Sequence, residues 1–250
     1  MDTSPLISIV TPAYKCKNTI KETFDSVISQ TYKNWEWIIV DDCSPDDTFD
    51  FLKANIIDSR ITITQTDKNG GTAYARNAGL THVKGSFLVF LDSDDMIDSN
   101  FLEEQLNFIN ESGSAVVTSG YRRLAENSNT DFIPPKIITY KSILNGNPVS
   151  CLSTMINLSI TGVKYFDVSL IKNEDYLYWI NLIKEFGDIK GNQKTLATYR
   201  ILPSSKSRNK KALVKWQLAV YKKIGLNFLS RWFHLFRWAI YGIKKYRKVK

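Results

Sequence analysis

The chain has 250 residues, 43% hydrophobic, 23% charged and 12% aromatic, which excludes a disordered tail, a collagen-like fibre and a disulfide-stapled miniprotein. Its net charge of +8 is unevenly divided: residues 1–188 carry 16 Lys and Arg against all 25 Asp and Glu, a net of −9, while residues 189–250 carry 17 Lys and Arg and no acid, a net of +17. An acidic body is therefore joined to a strongly basic end, and the two are expected to do different work.

Leu6–Thr11 is a β-branched run ending at Pro12 and predicts a buried strand. Thr19-Ile-Lys-Glu22 has the spacing of a capping box, continued at helical intervals by Phe24, Val27 and Ile28. Trp35–Val40 predicts a second strand running into Asp41-Asp42, followed by a helix over Thr48–Asn55 and a strand over Ile61–Gln65. Gly70-Gly71 precedes a helix containing Ala73, Ala75, Ala78 and Leu80, and Phe87–Leu91 is a strand ending at Asp92-Ser93-Asp94-Asp95. A helix near Phe101–Ile109 and a strand near Ala115–Ser119 complete the alternation, and residues 121–150 read as loop-rich. Apolar strands alternating with amphipathic helices predict an α/β sheet covered on both faces. Ligands of such sheets bind beyond the carboxyl ends of the strands, where these acids fall.

The three cysteines, Cys16, Cys43 and Cys151, are widely spaced with no CxxC pair, which supports neither a disulfide framework nor a zinc site. The N-terminal MDTSPLISIV has no basic leader, and no uncharged apolar run approaches the roughly 18–20 residues of a spanning helix. The expectation is a soluble-type cytoplasmic domain. Asp92, Asp94 and Asp95 read either as acids at a solvated helix N-terminus or as oxygen ligands for Mg²⁺ or Mn²⁺. Asp41-Asp42 reads either as an acidic turn before a helix cap or as an acceptor for a base N–H or a ribose hydroxyl. Tyr14 is either a surface aromatic or a stacking platform, and Arg76 suits a phosphate oxygen or a base. Glu174-Asp175 reads as capping acids or as a carboxylate base at a helix start. Neither GxxxxGK[ST] nor GxGxxG occurs.

Taken together, LISIVTPAYK, SVISQTYKNWEWIIVDDCSPDDT, NGGTAYARNAGL, GSFLVFLDSDD and NEDYLYW resemble the family 2 glycosyltransferases over about residues 5–205. The resemblance implies a GT-A fold, with a mixed, mostly parallel sheet flanked by helices. It places a nucleotide-sugar-binding half at about 1–120 and an acceptor-side half at about 121–205, with residues 206–250 as a basic C-terminal extension. It further implies that Pro12, Ala13 and Tyr14 form the first nucleotide loop, that Asp42, with Asp41 beside it, contacts the base, and that Arg76 lies near the nucleotide. Asp92, Ser93 and Asp94 would form the DxD segment, with Asp94 or Asp95 towards a Mn²⁺ or Mg²⁺ ion. Asp175 would be the catalytic base of an inverting transfer from a UDP-hexose or UDP-N-acetylhexosamine. The acceptor implied is a glycan or lipid-linked glycan of bacterial surface polysaccharide, such as O-antigen or capsule. Tyr199–Ser207 resembles the loop that closes over the donor diphosphate. The QxxRW sequence of processive synthases is absent, because Leu-Ala-Val-Tyr follows Gln217. The rivals are a sugar-nucleotide pyrophosphorylase, which would need a glycine-rich loop where Thr11–Lys15 stands, and a non-catalytic membrane- or nucleic-acid-binding protein.

Beyond Lys206 the charge is all positive, and Phe228, Trp232, Leu235, Phe236 and Ile240 recur at helical spacing. This predicts an amphipathic helix on an anionic membrane surface at the inner face of the cytoplasmic membrane, partly packed on the domain. No nucleic-acid partner is expected.

Overall fold

Strand β1 (Ile7–Ala13) buries every residue except Pro12, which is half-buried. Its side chains alternate between two cores: Val10 joins one with Ile38, Val40, Leu88 and Phe90, while Ile7, Ile9 and Ala13 join the other with Trp37, Ile39 and Val89. The computed structural model describes residues 4–125, 128–201 and 210–246. After β1 come α1 (Ile20–Ile28), β2 (Trp35–Asp41), α2 (Thr48–Asn55), β3 (Ile61–Gln65), α3 (Thr72–Leu80) and β4 (Phe87–Phe90). The middle of the chain forms β5 (Met96–Ile97), α4 (Phe101–Ser112), β6 (Val116–Ala125), β7 (Ser128–Phe132), β8 (Ile137–Ile138) and α5 (Tyr140–Ile143). It ends with β9 (Thr154–Asn157), α6 (Leu158–Thr161), α7 (Glu174–Phe186), β10 (Ile189–Arg200), α8 (Lys210–Lys223) and α9 (Phe228–Tyr246).

All the described strands belong to one mixed ten-stranded sheet with the path β3-β2-β1-β4-β9-β6-β10-β5, β7 pairing with β6 and β8 with β10. The β3-β2-β1-β4 half is parallel, so the carboxyl ends of β1, β2 and β4 open on one side. β9 then runs antiparallel to both β4 and β6 and joins the second half. The expected α/β architecture is present.

The capping box read at Thr19 does not form. The Thr19 hydroxyl instead reaches the carbonyl of Ser93 at 3.0 Å, and the Glu22 carboxylate takes both ends of the Arg200 guanidinium at 3.0 and 2.7 Å. Two tertiary contacts have replaced the local one. The region read as loop-rich contains the second half of β6 and its hairpin partner β7, in register from Tyr121↔Phe132 to Ala125↔Ser128. The Tyr121 and Phe132 rings, 5.1 Å apart across the strands, hold a segment whose polar Ser-Asn-Thr-Asp sequence carries no strand pattern.

The basic end is two helices. α8 contributes Val220 and Tyr221 to the core, and the Tyr221 hydroxyl donates to the Leu144 carbonyl at 2.6 Å. α9 buries Leu235 and sets His234 Nδ1 3.0 Å from Asn145 Oδ1. Of the predicted stripe, Leu235 turns inward while Phe228, Trp232, Phe236 and Ile240 face solvent.

The parallel half depends on close packing of α3. A Cβ on Gly79 would lie 2.6 Å from Val10 Cγ1 and 3.2 Å from Val40 Cγ2. Gly79→Ala is expected to destabilise the protein by about 1–3 kcal/mol, read as a lower urea midpoint at unchanged slope.

Candidate active site

The site is assembled from strand ends. Beyond β1 the chain turns at Lys15, whose φ is 51° and whose N–H donates to Ser44 Oγ at 3.0 Å. This leaves Pro12, Ala13, Tyr14 and Lys15 along one wall of a cavity of about 930 Å³. The Tyr14 ring is exposed, with Lys15 Nζ 5.5 Å from its centroid.

At the end of β2 the two aspartates part company. Asp41 is fully buried, its carboxylate accepting from the Ser44 N–H and hydroxyl at 3.0 and 2.5 Å and from Gln65 at 2.9 Å. Asp42 reaches the cavity wall. One of its oxygens accepts from Gly70 N–H at 3.0 Å and Thr66 Oγ1 at 3.2 Å, and the other from Gly71 N–H at 2.7 Å. Charge-assisted bonds to backbone N–H groups are strong, so Asp42 fixes the glycine loop before α3. Gly71 needs its residue type, since its φ of 85° is unfavourable for a side chain.

Beyond β4, Asp92, Ser93 and Asp94 line the same cavity. Asp95 lies beneath, fully buried, with one oxygen accepting from the Arg200 N–H at 3.0 Å and the other lacking a hydrogen-bond partner among the described residues. Burial pushes the Asp94 and Asp95 carboxyls up, and Asp92 adds repulsion to both. The site therefore disfavours the charged forms of both carboxyls.

Arg76, on α3, is almost fully buried behind this wall. Its Nη2 donates to Asp92 at 2.7 Å and its Nη1 lies 3.9 Å from Glu174, while the guanidinium stands 5.3 Å from the Phe166 ring centroid. Burial opposes its charge, while the carboxylates of Asp92 and Glu174 favour it. Glu174 lines the cavity at the start of α7, with its pKa raised by burial and by Asp175 and lowered by Arg76. Asp175, the sequence-predicted base, is the next residue of that first turn and is half-buried.

The structure thus collects Pro12, Ala13, Tyr14, Asp42, Asp92, Ser93 and Asp94 on one cavity, with Asp41, Arg76 and Asp95 in the layer supporting it. Lys15, Lys172 and Glu174 were not singled out as lining, although each adjoins a residue or motif that was. Among the described residues, no group of three or more His, Cys, Asp or Glu side chains is arranged to hold a metal by itself. Most of Tyr199–Ser207 lies outside the described residues. Tyr199 and Arg200 end β10.

Residues 8–155 match the family model for glycosyl transferase family 2. WfaP of Escherichia coli, a UDP-Glc:alpha-D-GlcNAc-diphosphoundecaprenol beta-1,3-glucosyltransferase, is 37% identical over 243 residues, covering 96% of this chain and 95% of its own. TuaG of Bacillus subtilis strain 168, a glycosyltransferase assigned to teichuronic acid biosynthesis, is 35% identical over 246 residues, covering 96% and 97%. Among solved structures, Staphylococcus aureus TarS 1–349 with UDP-GlcNAc superposes with a TM-score of 0.71 at 20% identity, over 93% of this chain and 71% of that one. A mannosyltransferase of Pyrobaculum calidifontis with GDP-Man and Mn²⁺ gives 0.60 at 15%, over 89% and 66%. The chain spans 42% of the longer TarS structure. It belongs to glycosyl transferase family 2 and has the GT-A fold. Its activity is glycosyl transfer.

Removing one member of a buried ion pair strands the other. Arg76→Met, which leaves Asp92 and Glu174 without their cation, is expected to cost about 3–5 kcal/mol in urea unfolding. Arg76→Lys is expected to recover only part of this, because an ammonium lacks the planar fork that reaches two carboxylates.

Proposed function

We propose that the protein moves a hexose or N-acetylhexosamine from its UDP-sugar to a hydroxyl of a lipid-diphosphate-linked glycan in bacterial surface-polysaccharide assembly, inverting the anomeric carbon. The observation that carries this reading is the convergence of Tyr14, Asp42, Asp92, Asp94 and Glu174, from four separate chain segments, on one cavity of about 930 Å³. WfaP and WfgD, at 37% and 32% identity, are named for UDP-glucose as donor and GlcNAc-diphosphoundecaprenol as acceptor, which supports this pairing.

In this reading Tyr14 stacks on the uracil, Asp42 accepts from the base, and Asp92 takes the ribose side. Arg76 holds Asp92 and Glu174 in place from behind. The donor set fits a divalent cation. Asp94 faces the cavity with burial and Asp92 both opposing its charge, and small hard cations take one or two carboxylates plus substrate phosphates. Asp94 would hold the ion, with Asp92 beside it and Asp95 as a buried acid beneath. Once bound, Mn²⁺ or Mg²⁺ would offset the negative charge that grows on the departing diphosphate.

The acceptor hydroxyl gives its proton to Asp175 as its oxygen attacks the anomeric carbon. The bond from that carbon to the UDP oxygen breaks on the opposite face, and UDP leaves. One positioned carboxylate contributes roughly 10²–10⁴ in rate. The expected outcome for Asp175→Asn is loss of transfer by that factor, with UDP binding retained in calorimetry. Near-normal turnover would remove Asp175 from the role of base. Chelation with EDTA is expected to stop transfer and Mn²⁺ to restore it, in an assay with UDP-[¹⁴C]glucose or UDP-[¹⁴C]GlcNAc and a GlcNAc-diphospho-lipid acceptor.

A lipid-borne acceptor places the reaction at a bilayer, and α9 supplies the contact. Phe228, Leu229, Trp232, Phe233, Phe236, Ile240 and Ile243 are 39% to 79% exposed, while Leu235 and Trp238 pack on the domain. No acidic residue follows Asp188. Among the described residues no helix is long and apolar enough to cross a membrane, so the helix would lie in the interface at the cytoplasmic face. Basic residues near an anionic leaflet add about 1 kcal/mol each. Trp232→Ser with Phe236→Ser is expected to reduce sedimentation with phosphatidylglycerol vesicles severalfold while transfer to a short-chain, detergent-soluble acceptor is kept. Unchanged sedimentation would sink the membrane assignment.

A further inference from the structure

The acid-bearing helix α7 begins in an unusual way. A helix N-cap normally lies in the extended region and turns its side-chain oxygen onto the N–H groups of the first turn. Asn173 does neither: its φ and ψ are 63° and 23°, and its side chain makes no capping bond. Its carboxamide is directed sideways, donating to Gln217 Oε1 on α8 at 3.2 Å. Its carbonyl still accepts the first helical bond, from Leu177 N–H at 3.1 Å. The neighbours of Asn173 on both sides, Lys172 and Glu174, line the cavity, and Asp175 follows. A change of backbone at this one residue would therefore re-aim the cavity wall and both acids together.

Gln217 is placed to prevent that change. It is almost fully buried and stands beside the hydroxyls of Tyr176 and Tyr221. Both hydroxyls are already committed, Tyr176 to the Ile143 carbonyl at 2.7 Å and Tyr221 to the Leu144 carbonyl at 2.6 Å. Burial pushes both phenols up, Tyr221 to about 12, so they remain neutral donors. α7, the end of α5 and α8 are thus pinned at one point, and a side chain entering this packed knot cannot swing away from Asn173. A buried amide is costly unless its polar groups are met, and this one is directed at Asn173 and the two phenols.

We infer that Gln217 is a positioning residue: it holds Asn173 in the left-handed conformation that sets Glu174 on the cavity wall and Asp175 beside it. The catalytic consequence rests on the glycosyl-transfer reading; the conformational one does not. Asparagine tolerates this backbone region with help, glycine visits it freely, and other residues avoid it. The inference therefore predicts a pattern across variants of the full-length protein.

Gln217→Leu, a substitution of similar volume, is expected to lower kcat for UDP-glucose or UDP-GlcNAc and the GlcNAc-diphospho-lipid by roughly 10- to 100-fold, with the donor KM within about twofold. Asn173→Ala is expected to do the same with Gln217 intact. In the Asn173→Gly background, Gln217→Leu is expected to cause no further loss, because glycine keeps the conformation unaided. Equal losses from Gln217→Leu in both backgrounds would overturn the inference, as would an effect confined to the donor KM. A readout without turnover separates this test from the functional reading. The backbone ¹³C and ¹⁵N shifts of Asn173 should leave the left-handed range in Gln217→Leu and stay there in wild type. If the shifts do not move, the inference fails whatever the enzyme transfers; if they move and wild type transfers no sugar, it is the functional reading that fails.

Discussion

The arrangement depends on a single buried cation. Three segments that are remote in sequence, the ends of β4, α3 and α7, bring Asp92, Arg76 and Glu174 to one place, and without Arg76 two carboxylates would face each other across a partly dry wall. The bond from Arg76 to Asp92 spans the two elements of the parallel half, whereas its approach to Glu174 reaches into the second half. The guanidinium thus also joins the parallel half of the sheet to the segment that begins α7. Aromatic packing fixes it further, since Phe90 and Phe166 flank the same group. A planar, permanently charged side chain is suited to such a seam, because it can lose its water and keep its charge.

The negative charge around Asp94 and Asp95 is not balanced in the same way. Their pKa values are raised by burial and by the neighbouring Asp92, while the guanidinium of Arg200 is occupied by Glu22. The protein spends one arginine on making the wall and leaves the edge that faces the cavity electrostatically incomplete. That asymmetry suits an ion which arrives with its substrate, since a site fully neutralised by the protein would have nothing to offer a metal–diphosphate pair.

Much of this was legible in the sequence, for a physical reason. A strand buried on both faces is a run of apolar residues, and the first acid after it marks its carboxyl end, so Asp42 and Asp92 could be placed before any coordinates. The distinction between neighbours came only from the family resemblance, which favoured Asp42 over Asp41 and Asp175 over Glu174. Successive residues leaving a strand point to opposite sides, so whether Asp41 or Asp42 meets the ligand depends on the register of β2 against β1 and β3. The same holds for Glu174 and Asp175, which sit about 100° apart around α7. The Thr19 capping box was misread because spacing alone does not reveal a tertiary competitor such as the Ser93 carbonyl. The β6–β7 hairpin escaped because its strands are stabilised by a cross-strand ring pair rather than by alternation.

The basic end shows how one segment can serve two environments. Its apolar residues divide between two environments: Tyr221, Leu235 and Trp238 pack on the domain, and Phe228, Trp232, Phe233 and Phe236 are exposed. The inward face reaches the α5 turn through His234 and Asn145, and the α8 part of the same segment reaches Asn173 through Gln217. A helix with only an outward apolar face would be a tether, free to attach anywhere along the chain. Moving a pair of helices that also holds Asn173 would disturb the start of α7. The extension thereby shares a core with the domain through Val220, Tyr221 and Leu235.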